Sequence, residues 1–453
     1  MVLLSKFKPI DTTCIEYVHP WTNSCSDACA DLTLQAFERT IKIYTVAYTV
    51  GLLMRGKVPN KSDLRKTFLG ILQSAAFLTT NGFTFPMFLC FLRKVCGNYN
   101  ILTVSYVPSF LASFAAILLE RPSRRNLLCL YVSNEATETV WNMLKSRGYV
   151  RSIKYGEVGI FSMSIAILMY YYRSNDYLSK DQLGLVSKFV VGPYEAFGYS
   201  DKLKNKSEQA VCDIKNRKAA LHKIKFIKHF NEMIKSLPRH NTCLHPASCM
   251  HYVTQGWFKM FSLGVCFQLG LRIFMRIGTI ARRPKEISNI ILNKSSYSLA
   301  MFLGGFTGIF RLSSCVLRWI SGKDRPEHAL PAGILAGLAF GKYRSNNIAL
   351  YVMWKMLHIS YNIAVLKGFV REVPGFTIFL YCFSTAILFH CAVLEPTNLR
   401  PSYWKFLHSL SGGRIASMSR ATMDVWGLGT TDSLKKVLAL TGTKLEVRRI
   451  FGL

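Results

Sequence analysis

A chain of 453 residues has room for two or three soluble domains, but half of this one is apolar, only 18% is charged and its mean hydropathy is +0.20. The charges that remain are lopsided, 57 Lys+Arg against 25 Asp+Glu, a formal +32. A basic excess points to nucleic acid or to a membrane surface; uncharged runs long enough to cross a bilayer exclude the first and place the basic loops against anionic headgroups.

The apolar segments follow one another along the chain. Ile41–Met54, Thr67–Leu92, Ile101–Leu119, a weaker Leu127–Leu144 and Val158–Tyr172 precede a charged region from Arg173 to His251. Phe258–Met275, Tyr297–Leu317, Ala329–Gly341, Ile348–Leu366 and Phe376–Leu394 follow it, and a basic tail closes the chain. Several segments are short, so about ten predicted helices correspond to eight to ten spans. The first ten residues lack an apolar core, so no secretory signal peptide is expected, and Phe451-Gly452-Leu453 is not the Ser-Lys-Leu peroxisomal address.

The order of segments repeats. Phe77–Gly97 laid without gaps on Phe302–Gly322 matches Phe85 with Phe310, Cys90 with Cys315, Leu92 with Leu317, Arg93 with Arg318 and Gly97 with Gly322. Pro108 then aligns with Pro331, Tyr131 with Tyr351, and Ser164, Ala166, Ile167 and Leu168 with Ser384, Ala386, Ile387 and Leu388. Upstream, each half opens with a Cys, a His-Pro and a Cys: Cys14, His19-Pro20, Cys25 and Cys243, His245-Pro246, Cys249. The expectation is an all-α polytopic membrane protein of two internally repeated helical modules, four to five segments each. Its divisions are a Cys-containing N-terminal segment (1–31), a first membrane repeat (32–173), a basic linker with an amphipathic helix and a Cys/His cluster (174–251), a second membrane repeat (252–395) and a basic C-terminal tail (396–453).

Gly333, Gly337 and Gly341, with Gly304 and Gly308 in the preceding segment, form flat helical strips that let a neighbouring backbone approach closely. They serve close packing, or else a pore-lining or dimer-forming face. Arg311 lies inside an apolar segment and is expected to snorkel; Arg93 and Arg318 are read as interfacial anchors, and Glu135 and Glu138 as marking an interfacial helix. Cys243, His245, Cys249 and His251, with His240 nearby, are soft donors close in sequence, and Cys14, His19, Cys25 and Cys29 echo them. Their spacing is not a common zinc-finger pattern, so free thiols are the default, ahead of disulfides and of metal. Ala219–Leu237 reads as a basic amphipathic helix for the bilayer interface or a partner's groove. There is no P-loop, Gly-x-Ser-x-Gly or His-Glu-x-x-His, so no enzyme, catalytic residue, cofactor or nucleic-acid partner is expected; His358 and His390 are weak proton-relay candidates.

Leu72–Gly82, Glu120-Arg121-Pro122-Ser123-Arg124-Arg125 and Leu399-Arg400-Pro401-Ser402-Tyr403-Trp404-Lys405-Phe406 resemble the transmembrane protein 135 family, over nearly the whole chain to about Gly427. The resemblance implies a peroxisomal or mitochondrial membrane, promotion of mitochondrial fission through a dynamin-related GTPase, and lipid homeostasis. The second repeat also resembles the mitochondrial inner-membrane translocase channel family at Phe306, Arg318, Asp324, Ala332-Gly333 and Gly337. That implies an alternative: a channel or transporter for lipid, metabolite or polypeptide at the repeat interface. Beyond the lipid bilayer and the GTPase, a homo-oligomer is left open.

Overall fold

The computed structural model describes residues 8–53, 59–174, 182–196, 232–246 and 248–445. Among them there is no strand, only an isolated bridge between Ile10 and Tyr99. The main helices are α1 (Cys25–Leu53), α2 (Lys61–Cys96), α3 (Tyr106–Leu119), α4 (Pro122–Ser146), α5 (Gly156–Ser174), α6 (Cys249–Met275), α7 (Ser298–Ser321), α8 (Ala329–Gly337), α9 (Asn346–Leu366), α10 (Phe376–Leu394), α11 (Pro401–Leu410) and α12 (Thr430–Thr441). Every predicted apolar segment falls on one of them. Among the described residues, five helices, α2, α6, α7 with its preceding turn, α9 and α10, are long and apolar enough to cross a membrane. The protein is an all-α, polytopic membrane protein.

Local chemistry sets the helix limits. Asn60 and Asp63 form a reciprocal capping box at the start of α2. Gly97 ends α2 at φ 73° with its N–H on the Arg93 carbonyl, and Gly322 ends α7 at φ 64° with its N–H on the Arg318 carbonyl. Only glycine adopts that left-handed cap without penalty. Pro122 and Pro401 each sit in the first turn of a helix, where a missing N–H costs nothing.

The chain divides into two compact units, and they cut across the sequence divisions. One is Met1–Ser152 with Glu372–Leu453; the other is Ile153–Arg371. In the first unit α1 packs on α2, α2 on α3, and α10 on both α3 and α4. In the second α6 packs on α7, α7 on α8, and α5 on both α8 and α9. The two packing patterns are the same, but the fifth helix of each comes from the other half of the sequence. The crossing points also match. Arg147-Gly148-Tyr149-Val150-Arg151 follows α4, and Lys367-Gly368-Phe369-Val370-Arg371 follows α9. Gly148 (φ 77°) and Gly368 (φ 75°) each close a Schellman turn, with Tyr149 N–H on the Leu144 carbonyl and Phe369 N–H on the Ala364 carbonyl, both at 3.0 Å.

The basic tail packs as part of the first unit. Trp404 and Trp426 are fully buried, and Trp426 donates its indole N–H to the Lys8 carbonyl at 2.9 Å. Arg420 donates to the carbonyls of Val393, Ile415 and Met418 at 2.9–3.1 Å. Burial alone pulls its guanidinium down to about 10. Most of the amphipathic stretch expected at Ala219–Leu237, residues 219–231, lies outside the described residues.

Candidate functional site

Each unit gathers three cysteines and one histidine at one end of a helical hairpin. In the first, Cys14, His19, Cys25 and Cys90 each offer a donor atom, and all four atoms lie within 4.8 Å of one another. In the second, Cys243, His245, Cys249 and Cys315 do the same. Cys25 and Cys249 are the first residues of α1 and α6; Cys90 and Cys315 lie seven positions before the glycine caps of α2 and α7. Cys14 opens a one-turn helix (Cys14–Tyr17) and His19 follows it, while Cys243 and His245 lie in the irregular segment before α6. Ser248 caps α6 by accepting from the His251 N–H, which starts the helix at Cys249.

Neighbouring contacts hold the leading segments in place. The Tyr17 hydroxyl donates to the Val104 carbonyl at 2.7 Å, and Arg93 binds the Thr12 carbonyl at 2.6 Å and the Asp11 carboxylate at 2.7 Å. In the second unit Arg239 donates to the His245 carbonyl at 3.0 Å, and the His245 ring stacks on Tyr252 with centroids 4.6 Å apart. Within the clusters, the Cys14 and Cys25 sulfurs are 3.4 Å apart, Cys243 and Cys249 3.8 Å, and Cys315 Sγ lies 3.5 Å from His245 Nε2. Hydrogen bonding from Cys315, opposed by burial and reinforced by His245 and Cys249, holds the Cys243 thiol below the usual thiol range.

Proximity in sequence points to His251 and Cys29 as the fourth donors. The structure brings in Cys315 and Cys90 instead, from helices far along the chain. Both had already matched each other in the repeat alignment, so joining that match to the Cys/His-Pro/Cys match was the available signal.

Other predicted residues are placed differently from expectation. Arg318 is 1% exposed and is no interfacial anchor: its fork meets the Glu195 carboxylate at 2.6 and 2.9 Å, and its Nε reaches Asp324 at 2.8 Å. Arg173 pairs with Asp324 and lies 3.6 Å from Glu195. Burial alone would raise the Glu195 carboxyl, but Arg318 and Arg173 outweigh it and hold it at about 2. Arg311 does not snorkel. It donates to the Val191 and Tyr252 carbonyls, both at 2.8 Å, and lies over the Tyr252 ring. Glu135 and Glu138 are both bound by Arg400 from the C-terminal segment, Glu135 at 2.5 Å. His390 is half-buried beside Ser105, 2.8 Å from its hydroxyl.

Two glycines of α8 are met by backbone. A Cβ on Gly333 would meet Ala166 Cα at 2.6 Å and one on Gly337 would meet Ser162 Cα at 2.6 Å, both on α5. Gly304 and Gly308 face Phe261 and Trp257 of α6, whereas Gly341 has nothing within 4 Å.

Comparison with known proteins adds one anchor. Residues 11–144 match the N-terminal cysteine-rich region of Transmembrane protein 135. The match contains all four residues of the first cluster and ends inside α4, and it supports the family resemblance carried by the sequence motifs. The Transmembrane protein 135 match stops short of the second half, so the translocase resemblance there rests on its motifs. No solved structure matches the chain.

Proposed function

We propose that this is a non-enzymatic multi-pass protein of the peroxisomal or mitochondrial membrane that regulates organelle dynamics, through mitochondrial fission and lipid homeostasis. The match of residues 11–144 to the cysteine-rich region of Transmembrane protein 135 carries the reading. The five apolar helices suit the setting. We further read the two units as copies of one module that have exchanged their fifth helices; the equal packing patterns and equal turns at the crossing points support this.

We assign recruitment of a fission GTPase to the basic segment between the two sequence repeats. Replacing residues 197–231 with a neutral Gly/Ser linker should leave membrane insertion intact and abolish rescue of organelle shape in cells lacking the protein. Full rescue by that variant sinks the recruitment reading. A translocation role has less support, because α5 occupies the glycine faces of α8 that would otherwise line a passage.

A further inference from the structure

We propose that Cys14, His19, Cys25 and Cys90 bind one zinc ion and that Cys243, His245, Cys249 and Cys315 bind a second, each as a closed structural site. The inference concerns metal content and stands apart from the organelle role proposed above.

Zinc held by thiolates at about 2.3 Å and by imidazole at about 2.0–2.1 Å, at tetrahedral angles, puts neighbouring donor atoms about 3.5–3.8 Å apart. The Cys243–Cys249 sulfurs at 3.8 Å meet the sulfur–sulfur end of that range and the Cys315–His245 pair at 3.5 Å the sulfur–nitrogen end, while the Cys14–Cys25 sulfurs at 3.4 Å lie about 0.4 Å inside the sulfur–sulfur value. Bonded sulfurs lie about 2.05 Å apart, so the cysteines as placed are thiols rather than disulfides. Three soft sulfurs and one imidazole select a soft or borderline ion and disfavour magnesium or calcium. A limit of 4.8 Å across all four donors suits a single ion better than an iron–sulfur cluster, which spreads its ligands over two or more irons.

His19 supplies the second line of argument. It is fully buried, and its Nδ1–H donates to the Thr22 carbonyl at 2.9 Å. That bond leaves Nε2 with its lone pair free, buried and without a hydrogen-bond partner. An orphaned buried acceptor is costly unless something takes the lone pair. A metal-ligating histidine is commonly held this way, with one nitrogen on a backbone carbonyl and the other on the ion.

Charge and connectivity fit as well. Three thiolates on Zn²⁺ leave a net negative site, and Cys25 and Cys249 stand at the N-termini of α1 and α6, where the helix dipole favours negative charge. Four protein ligands leave no open position, so the sites are structural rather than catalytic. Each ion ties a leading segment to both helices of its hairpin.

The test is elemental analysis of the full-length protein, purified in detergent without chelators. The expected content is two zinc per chain. Cys90→Ser and Cys315→Ser should each lower it to one, the double variant should fall to near zero, and Cys266→Ser, at an exposed position outside both clusters, should retain two. Cys90→His with Cys315→His guards against simple misfolding. That protein should keep two zinc, and X-ray absorption at the zinc edge should change from three sulfurs and one nitrogen per ion to two and two. Zinc below one per chain in the wild-type protein overturns the proposal, whether the thiols are freely alkylated or joined as Cys14–Cys25 and Cys243–Cys249 disulfides. Iron or copper in place of zinc, or zinc with no sulfur ligation, overturns it too.

Discussion

Single residues in this protein are decided by partners far along the chain. Arg311 sits in the apolar helix α7 because two backbone carbonyls and the Tyr252 ring receive it, and Gly256 makes the room: a Cβ there would run into the guanidinium. Gly256→Ala should therefore cost about 1–3 kcal/mol, as overpacking does. Gly270→Ala on the same helix, with nothing within 4 Å, should be neutral or slightly stabilising. Thermal unfolding of the two variants in detergent checks the contrast. Glu195 carries a pH prediction. Its folded carboxyl is held at about 2, below the unfolded value of about 4.3, so its stabilisation is complete above the unfolded value and is lost as pH falls toward 2. Glu195→Gln should lower stability at neutral pH by about 3 kcal/mol or more and should remove this component of the acid response, read from melting curves across that window.

Between elements, closeness is set by which residues lack a side chain. Gly333 and Gly337 on α8 meet the backbone of α5 at Ala166 and Ser162, an approach that lets dispersion act over the whole helix face. Gly337→Leu should push the helices apart and cost about 1–3 kcal/mol or more of stability, read as a lower unfolding temperature, while Gly341→Ala should not. Equal effects from both substitutions would show that the close approach at Gly337 does not set the stability. The strip was visible in sequence, but its partner was not, because α5 was assigned to the first half. Periodicity shows that a face is buried; it does not say against what.

At the scale of the molecule, the two halves of the sequence do not become the two units. α5 packs on α8 and α9, and α10 packs on α3 and α4, so each unit contains one helix from the other half. A protease site placed between residues 197 and 231 tests this directly. After cleavage, the N-terminal fragment still supplies α5 to the second unit and the C-terminal fragment still supplies α10 to α12 to the first. The two fragments should therefore co-purify through a tag on either one. Separation in mild detergent would contradict the exchange.

Sequence alone determined what depends on local pattern. Composition, uncharged runs and glycine or proline punctuation located the helices and the membrane class, since hydrophobic transfer and backbone capping act over a few residues at a time. Only the tertiary structure decided partnership: which helix completes which unit, that Arg400 binds both Glu135 and Glu138, and that Cys90 and Cys315 complete sets of four donors. These pairings join residues tens to hundreds of positions apart, and no period or spacing encodes them. They follow from the geometry in which α1 returns against α2 and α6 against α7, setting the first turn of one helix beside the last turns of the other.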